Sequence, residues 1–294
     1  MSSGRMFRYA LGAVAAIVLL LVAAIAVVLV RESQLSIAKF GFAFWTRRMW
    51  DPVSGEFGAL PFIWGTAYSS LLAIAIAAPV GLGIAIFISE LAPDLLRRPL
   101  AFLTELLAAI PSIVYGLWGV FVLAPMVRAF EVALPAPLRK LPIFQGPPLG
   151  VGMLTAALIL AIMIVPFVSS VAREILQSVP RAQREAAYAL GATRWEAIRV
   201  ALFYARGGIV GAVMLGLGRA LGETMAVTMV IGNNPQITTS LFAPQYTMAA
   251  VIANEFTEAS DALYLNALVE IGLVLFIITI AVNGASRLLT RRFA

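Results

Sequence analysis

Apolar residues in this chain gather into long runs rather than the three- and four-residue spacing of a surface helix. The first run, Tyr9 to Val30, has no polar interruption. Five more follow, and the six are placed at about 9–30, 64–88, 100–123, 149–171, 207–231 and 263–283. A helix needs about 20 such residues to cross a hydrocarbon core. The pattern therefore predicts an all-α, polytopic membrane protein with six transmembrane helices in a single domain over 1–294. The first run exceeds a secretory h-region and is expected to stay as an uncleaved span. Pro79 falls inside the second run and predicts a kink; the third run contains Glu105 and Pro111.

The intervening segments are of different kinds. Residues 31–62 mix charge with Phe40, Phe42, Phe44, Trp45, Trp50 and Phe57, which predicts an interfacial loop with rings at headgroup level. Residues 125–148 hold six prolines and predict a loop with little room for a long helix. Residues 232–262 open on Asn233-Asn234-Pro235 and carry Glu255, Glu258 and Asp261. The segment 178–206 is soluble-looking and rich in arginine. Pro180 suits a first helical turn, and RAQREAAYAL then runs to Gly191, a natural left-handed stop. Thr193 with Glu196 is a capping-box pattern that restarts a helix, with Trp195, Ile198 and Leu202 on one face. The segment reads as helix, glycine corner, helix.

Composition agrees with a membrane protein: 61% of the 294 residues are hydrophobic and 12% charged, about half the charged share of soluble domains. The net charge of +6 is then a matter of orientation, not of nucleic-acid binding. With the N-terminus inside, thirteen basic residues fall on inner segments and seven on outer ones, so both termini are expected in the cytoplasm. The chain has no Cys and no His, which excludes disulfides, thiolate or imidazole catalysis and the usual zinc and haem sites. A nucleotide-binding loop needs a lysine after glycine. The two lysines, Lys39 and Lys140, follow Ala38 and Arg139, so the chain is expected to be no enzyme and to bind no cofactor. No repeat of 20–50 residues is evident.

Arg219 lies about twelve residues into the fifth run, near mid-membrane at 1.5 Å per residue. A charge there costs about 2.5 kcal/mol or more and almost always faces protein or water. Glu223, four residues on, is expected on the same helical face and within reach of it. A guanidinium presents a fork of donors to an oxyanion. Phosphate keeps protons at neutral pH and can donate to a carboxylate, whereas sulfate cannot. The pair thus suits a substrate path, and a satisfied intrahelical pair or an interhelical staple is the competing role. Glu105 and Glu270, nearer the ends of their runs, are weaker candidates. Gly207/Gly211 and Gly218/Gly222 have the spacing that permits close helix approach.

Glu185-Ala186-Ala187 followed after three residues by Gly191 resembles the EAA signature of ABC importer permeases. The family signature commonly ends in Leu-Pro, where this chain has Phe203 and Tyr204, so the second helix is expected to run on toward the fifth span. GLGRALGETMAVTMVIGN over Gly216–Asn233, FWTRRMWDPVSGEFGALPFIWGT over Phe44–Thr66 and GLGIAIFISELAP over Gly81–Pro93 are similar to phosphate-specific ABC importer permeases of the PstC type. This resemblance implies the type I, MetI-like permease architecture with a cytoplasmic helix-turn-helix coupling loop, in a bacterial cytoplasmic membrane. It implies a permease subunit that imports inorganic phosphate with a sister permease, two ATP-binding subunits that use ATP and Mg, and a periplasmic or lipid-anchored phosphate-binding protein. Carried onto this sequence, Arg219 and Glu223 take the substrate-pathway role, and Glu185, Ala186, Ala187 and Gly191 the ATPase-coupling role. The alternatives are an ABC permease for another oxyanion or small solute, a stand-alone channel or secondary transporter, and a non-transporting assembly subunit.

Overall fold

A computed structural model describes residues 3–293, with side chains over residues 7–291. Arg5 and Arg292, counted for orientation, lie outside the described side chains. The described residues are helical apart from connecting segments and two isolated bridges, Asp51 with Glu56 and Gly232 with Gln245. In chain order the helices are α1 (Ser3–Glu32), α2 (Gln34–Phe40), α3 (Leu60–Ile86), α4 (Asp94–Ala109), α5 (Ser112–Trp118), α6 (Ala124–Ala133) and α7 (Ala136–Arg139). They continue with α8 (Met153–Ser178), α9 (Arg181–Ala189), α10 (Arg194–Leu221), α11 (Met225–Val230), α12 (Met248–Glu255) and α13 (Ala262–Phe293). Six stretches are long and apolar enough to cross a membrane: Phe7–Glu32, Leu60–Leu91, Ser112–Ala133, Met153–Ser178, Arg194–Leu221 and Ala262–Arg291.

Two differences from the apolar pattern have clear causes. The third membrane-length helix begins at Ser112, not near Leu100. Residue Ile110, ahead of Pro111, is extended at ψ 129°, because the proline ring excludes the helical region for the residue before it. The run 100–123 is therefore split: its first part belongs to α4, and its second continues through a π-helical turn, Gly119–Leu123, into α6. Pro125 sits in the first turn of α6, where a missing N–H costs nothing, so the expected loop there is helix down to Ala133. Pro79 and Pro166, by contrast, are carried inside α3 and α8.

The centre of the bundle is α8, which packs along α3 and against α10. One apolar core joins α3, α5, α8 and α11 through residues such as Ala73, Ile159, Leu160, Ile164 and Val227. α1 packs on α13 at the periphery. At the end remote from α9, the residues after α1 do not spread at an interface as expected. Phe40, Phe44 and Phe57 are buried with Phe62, Tyr246 and Tyr264 in an aromatic core, while Phe42 alone of this group is largely exposed. Trp50 stacks edge-on against Phe57 and Phe62 and donates its indole N–H to Glu255 at 2.8 Å.

Residues 232–247 form a non-helical strap across the same end. The first N–H groups of a helix have no intrahelical acceptor. Those at the start of α8 find theirs across the chain: Gly152 N to Val230 O, Met153 N to Ala243 O and Leu154 N to Leu241 O, at 2.9, 3.2 and 2.7 Å. Trp64 and Tyr68 of α3 donate in turn to the Thr238 and Thr239 carbonyls. The strap crosses α3 at Gly65, where an added Cβ would collide with the Tyr246 carbonyl oxygen. Gly65→Ala is expected to cost about 1–3 kcal/mol by overpacking. Gly83→Ala, whose Cβ would meet nothing within 4 Å, should not destabilise. Thermal unfolding of the detergent-purified protein orders the two.

Candidate functional site

The fifth membrane helix does not run unbroken through the charged pair. α10 ends at Leu221, Gly222 caps it at φ −96° and ψ 1°, and α11 starts only at Met225. Glycine is the weakest helix former after proline, and here it stands where the chain resets its direction. The four-residue register between Arg219 and Glu223 is lost as a result, and the two form no ion pair. Glu223 turns forward instead, and its Oε1 accepts from Ala226 N at 3.4 Å. Arg219, in the last turn of α10, is exposed and lies over the Phe167 ring of α8, 5.8 Å from its centroid. It makes no ion pair with any carboxylate among the described residues. Leu215, Gly222 and Met225 are exposed around it. A guanidinium held at a helix break, open on one side and unneutralised, can offer its donor fork to an anion.

Glu105 and Glu270 do not join this site. Glu105 of α4 binds Arg173 of α8 at 2.7 Å and ties two helices together. Glu270 is buried against Ser36 of α2, and its Oε2 has no hydrogen-bond partner. Of the four candidates, only Arg219 and Glu223 share a neighbourhood. The glycine pattern is also revised: Gly208 and Gly216 are the ones pressed against α8, at Ile175 and at Ile164 and Val168, whereas Gly211 and Gly218 leave room toward α13.

The segment 178–206 folds as a knob of helix, corner and helix. Gly191 is at φ +80° with open space around it, so its role is conformational. Thr193 and Glu196 make the reciprocal capping box. α10 then continues without a break from Arg194 to Leu221, as the absent proline suggests. Glu185 and Ala186 are exposed, but Ala187 is buried and turned inward. Only one alanine of the pair therefore offers an outward surface. Trp195 likewise points outward while Ile198 is buried. Tyr188, Leu190 and Trp195 leave an apolar exposed crest on the knob.

Two residues that motif reading did not select hold this knob in place. Glu90 lies in a π-helical turn, Phe87–Leu91, at the end of α3. Arg184 of α9 binds it through two nitrogens, at 2.5 and 3.2 Å. The signal in the sequence is a lone carboxylate closing an apolar run in a chain whose later loop is arginine-rich. For the other pair, the asymmetry of burial sets an expectation: Arg173 is 12% exposed and Glu105 54%. Glu105→Ala removes the acceptor of a nearly buried guanidinium and should cost about 1–3 kcal/mol. Arg173→Met leaves only an exposed carboxylate and should cost less. Thermal unfolding of the two variants tests the order.

Residues 78–294 match the family described as binding-protein-dependent transport system inner membrane component. A relative from Mesorhizobium japonicum, named phosphate transport system permease protein PstC, is 50% identical over 95% of this chain and 88% of its own length. One from Haemophilus influenzae with the same name is 48% identical over 97% and 92%. The solved inward-facing MetNI methionine ABC transporter has a chain that superposes with a TM-score of 0.62 at 17% identity, over 84% of this chain and all of that one. That likeness speaks to the fold, which is the MetI-like permease arrangement. The chain belongs to the family of binding-protein-dependent transport system inner membrane components, alongside the PstC permeases.

Proposed function

We propose that this chain is a permease subunit of an ATP-driven importer that carries inorganic phosphate across the bacterial cytoplasmic membrane. The observation that carries this reading is Arg219: an exposed, unpaired guanidinium at a break in a membrane helix. It occurs in a chain about half identical to proteins named phosphate transport permeases. A charge placed there is costly unless it faces water, protein or a passing anion. The open side of Arg219 faces away from this subunit's own core, which suits a path shared with a sister permease.

Phosphate passing Arg219 would take charge-assisted hydrogen bonds from the guanidinium. Glu223, held at the start of α11, would accept a hydrogen bond from a protonated phosphate oxygen and disfavour sulfate. Energy would come from two separate ATP-binding subunits, with Mg-ATP bound and hydrolysed there. Their contact is assigned to the knob, through the outward faces of Glu185 and Ala186, with Ala187 and Gly191 shaping it. The knob then lies in the cytoplasm with both termini. The aromatic core and strap lie on the outer side, where a phosphate-binding protein would deliver its cargo. An importer for another oxyanion uses the same parts, and Glu223 is the residue that distinguishes the two.

Phosphate uptake into vesicles reconstituted with all subunits tests this. Arg219→Ala should lower uptake about 10- to 100-fold, the loss of one or two charge-assisted hydrogen bonds, with Arg219→Lys intermediate. Glu223→Gln should lower phosphate uptake and narrow the preference over sulfate. Normal phosphate transport by Arg219→Ala, or uptake that persists without the ATP-binding subunits, would refute the reading.

A further inference from the structure

The knob is tied to the bundle by more than its chain ends. α9 packs on α10, and its polar link to α3 is Arg184. This side chain has four hydrogen bonds: Nη2 and Nε to the Glu90 carboxylate at 2.5 and 3.2 Å, Nη2 to Leu176 O at 2.9 Å, and Nη1 to Val179 O at 3.0 Å. Leu176 lies in the last turn of α8 and Val179 just beyond it, where helix carbonyls lack intrahelical donors. One guanidinium therefore joins the ends of α3 and α8 to α9. Arg194, in the first turn of α10, donates to the Glu90 carbonyl at 2.6 Å. Both knob helices thus grip the same π-helical turn. Arg184 and Glu90 are mostly buried, 20% and 12% exposed, so the pair is shielded from the screening that weakens surface ion pairs. Arg184 faces inward while its neighbour Glu185 faces out, so the two sides of α9 have different tasks.

We propose that the Glu90–Arg184 fork is the joint that makes the second membrane helix follow the knob. Glu90 and Arg184 are positioning residues: they touch neither phosphate nor nucleotide, and they convert movement of α9 into movement of α3. The inference rests on the reading of the outer face of α9 as the ATPase contact. Lysine cannot replace Arg184 here, because an ammonium lacks the planar fork that reaches a carboxylate and two carbonyls at once.

The test uses the reconstituted complex of both permeases, the ATP-binding subunits and the binding protein, and reads phosphate imported per ATP hydrolysed. Glu90→Gln and Arg184→Lys complexes should retain the ATP-binding subunits on purification, while this ratio falls about tenfold, the loss of one charge-assisted bond. In this cysteine-free chain, Glu90→Cys with Arg184→Cys should be similarly uncoupled. Bridging the two thiols with a bis-methanethiosulfonate reagent should restore most of the ratio, since a mechanical link replaces the ionic one. An unchanged ratio in both single variants, loss of the ATP-binding subunits from them, or no recovery on bridging would overturn the proposal. Glu185→Lys separates the two levels. If it leaves the subunits bound and coupled, the α9 contact itself is wrong. If it releases them while the Glu90 variants stay coupled, only the joint is wrong.

Discussion

Unpaired backbone groups cannot be left in hydrocarbon, and this requirement shapes the whole molecule. Helices satisfy it internally, but non-helical backbone at membrane depth is tolerated only where protein or a water-filled cavity surrounds it. The strap 232–247, packed across one end of the bundle, keeps its backbone partnered by trading hydrogen bonds with the start of α8 and with Trp64 and Tyr68 of α3. That exchange explains why Gly65 and Gly152 are small, since both lie where strap carbonyls press close. α8 is the most enclosed of the membrane-length helices because α3 and α10 pack along it.

The same requirement bears on the break at Gly222. Three residues without regular helix, Gly222 to Thr224, lie between α10 and α11. Their polar groups are partly met by local partners, Glu223 N to Ala220 O and Ala226 N to the Glu223 carboxylate. A carboxylate engaged with the start of its own short helix is no longer free to neutralise the arginine one turn before it. The break therefore leaves Arg219 charged and open, the condition a proposed anion path needs. A continuous helix would have paired the two side chains and quenched the site.

How much of this was readable from the residues depends on the range of the interaction. Long apolar runs reflect a constraint acting residue by residue, and six membrane-length helices follow from them. Gly191 and the Thr193–Glu196 box are equally local and are found where their chemistry places them. Pro111 is visible in the sequence, but whether a proline kinks or ends a helix depends on what can donate to the carbonyl it leaves without a partner. Pro166 is absorbed in α8 while Pro111 starts a new helix. The pairing of Glu90 with Arg184 spans ninety-four positions, and that of Glu105 with Arg173 sixty-eight. No local pattern encodes such choices. The inward turn of Ala187 is of the same kind, since it is set by the angle at which α9 meets α10.

The unbroken course of α10 has a mechanical consequence. From Arg194 in the knob to Arg219 at the break is twenty-five residues of one helix, about 37 Å at 1.5 Å per residue. A rigid rod of that length works as a lever. Tilting it by about 5° about its knob end would carry the arginine sideways by about 3 Å, comparable to a hydrogen-bond length. A proline at the junction would have put a flexible hinge at the root of the lever. Phe203 and Tyr204 keep it stiff, so small rotations at one face of the membrane arrive undiminished at its middle.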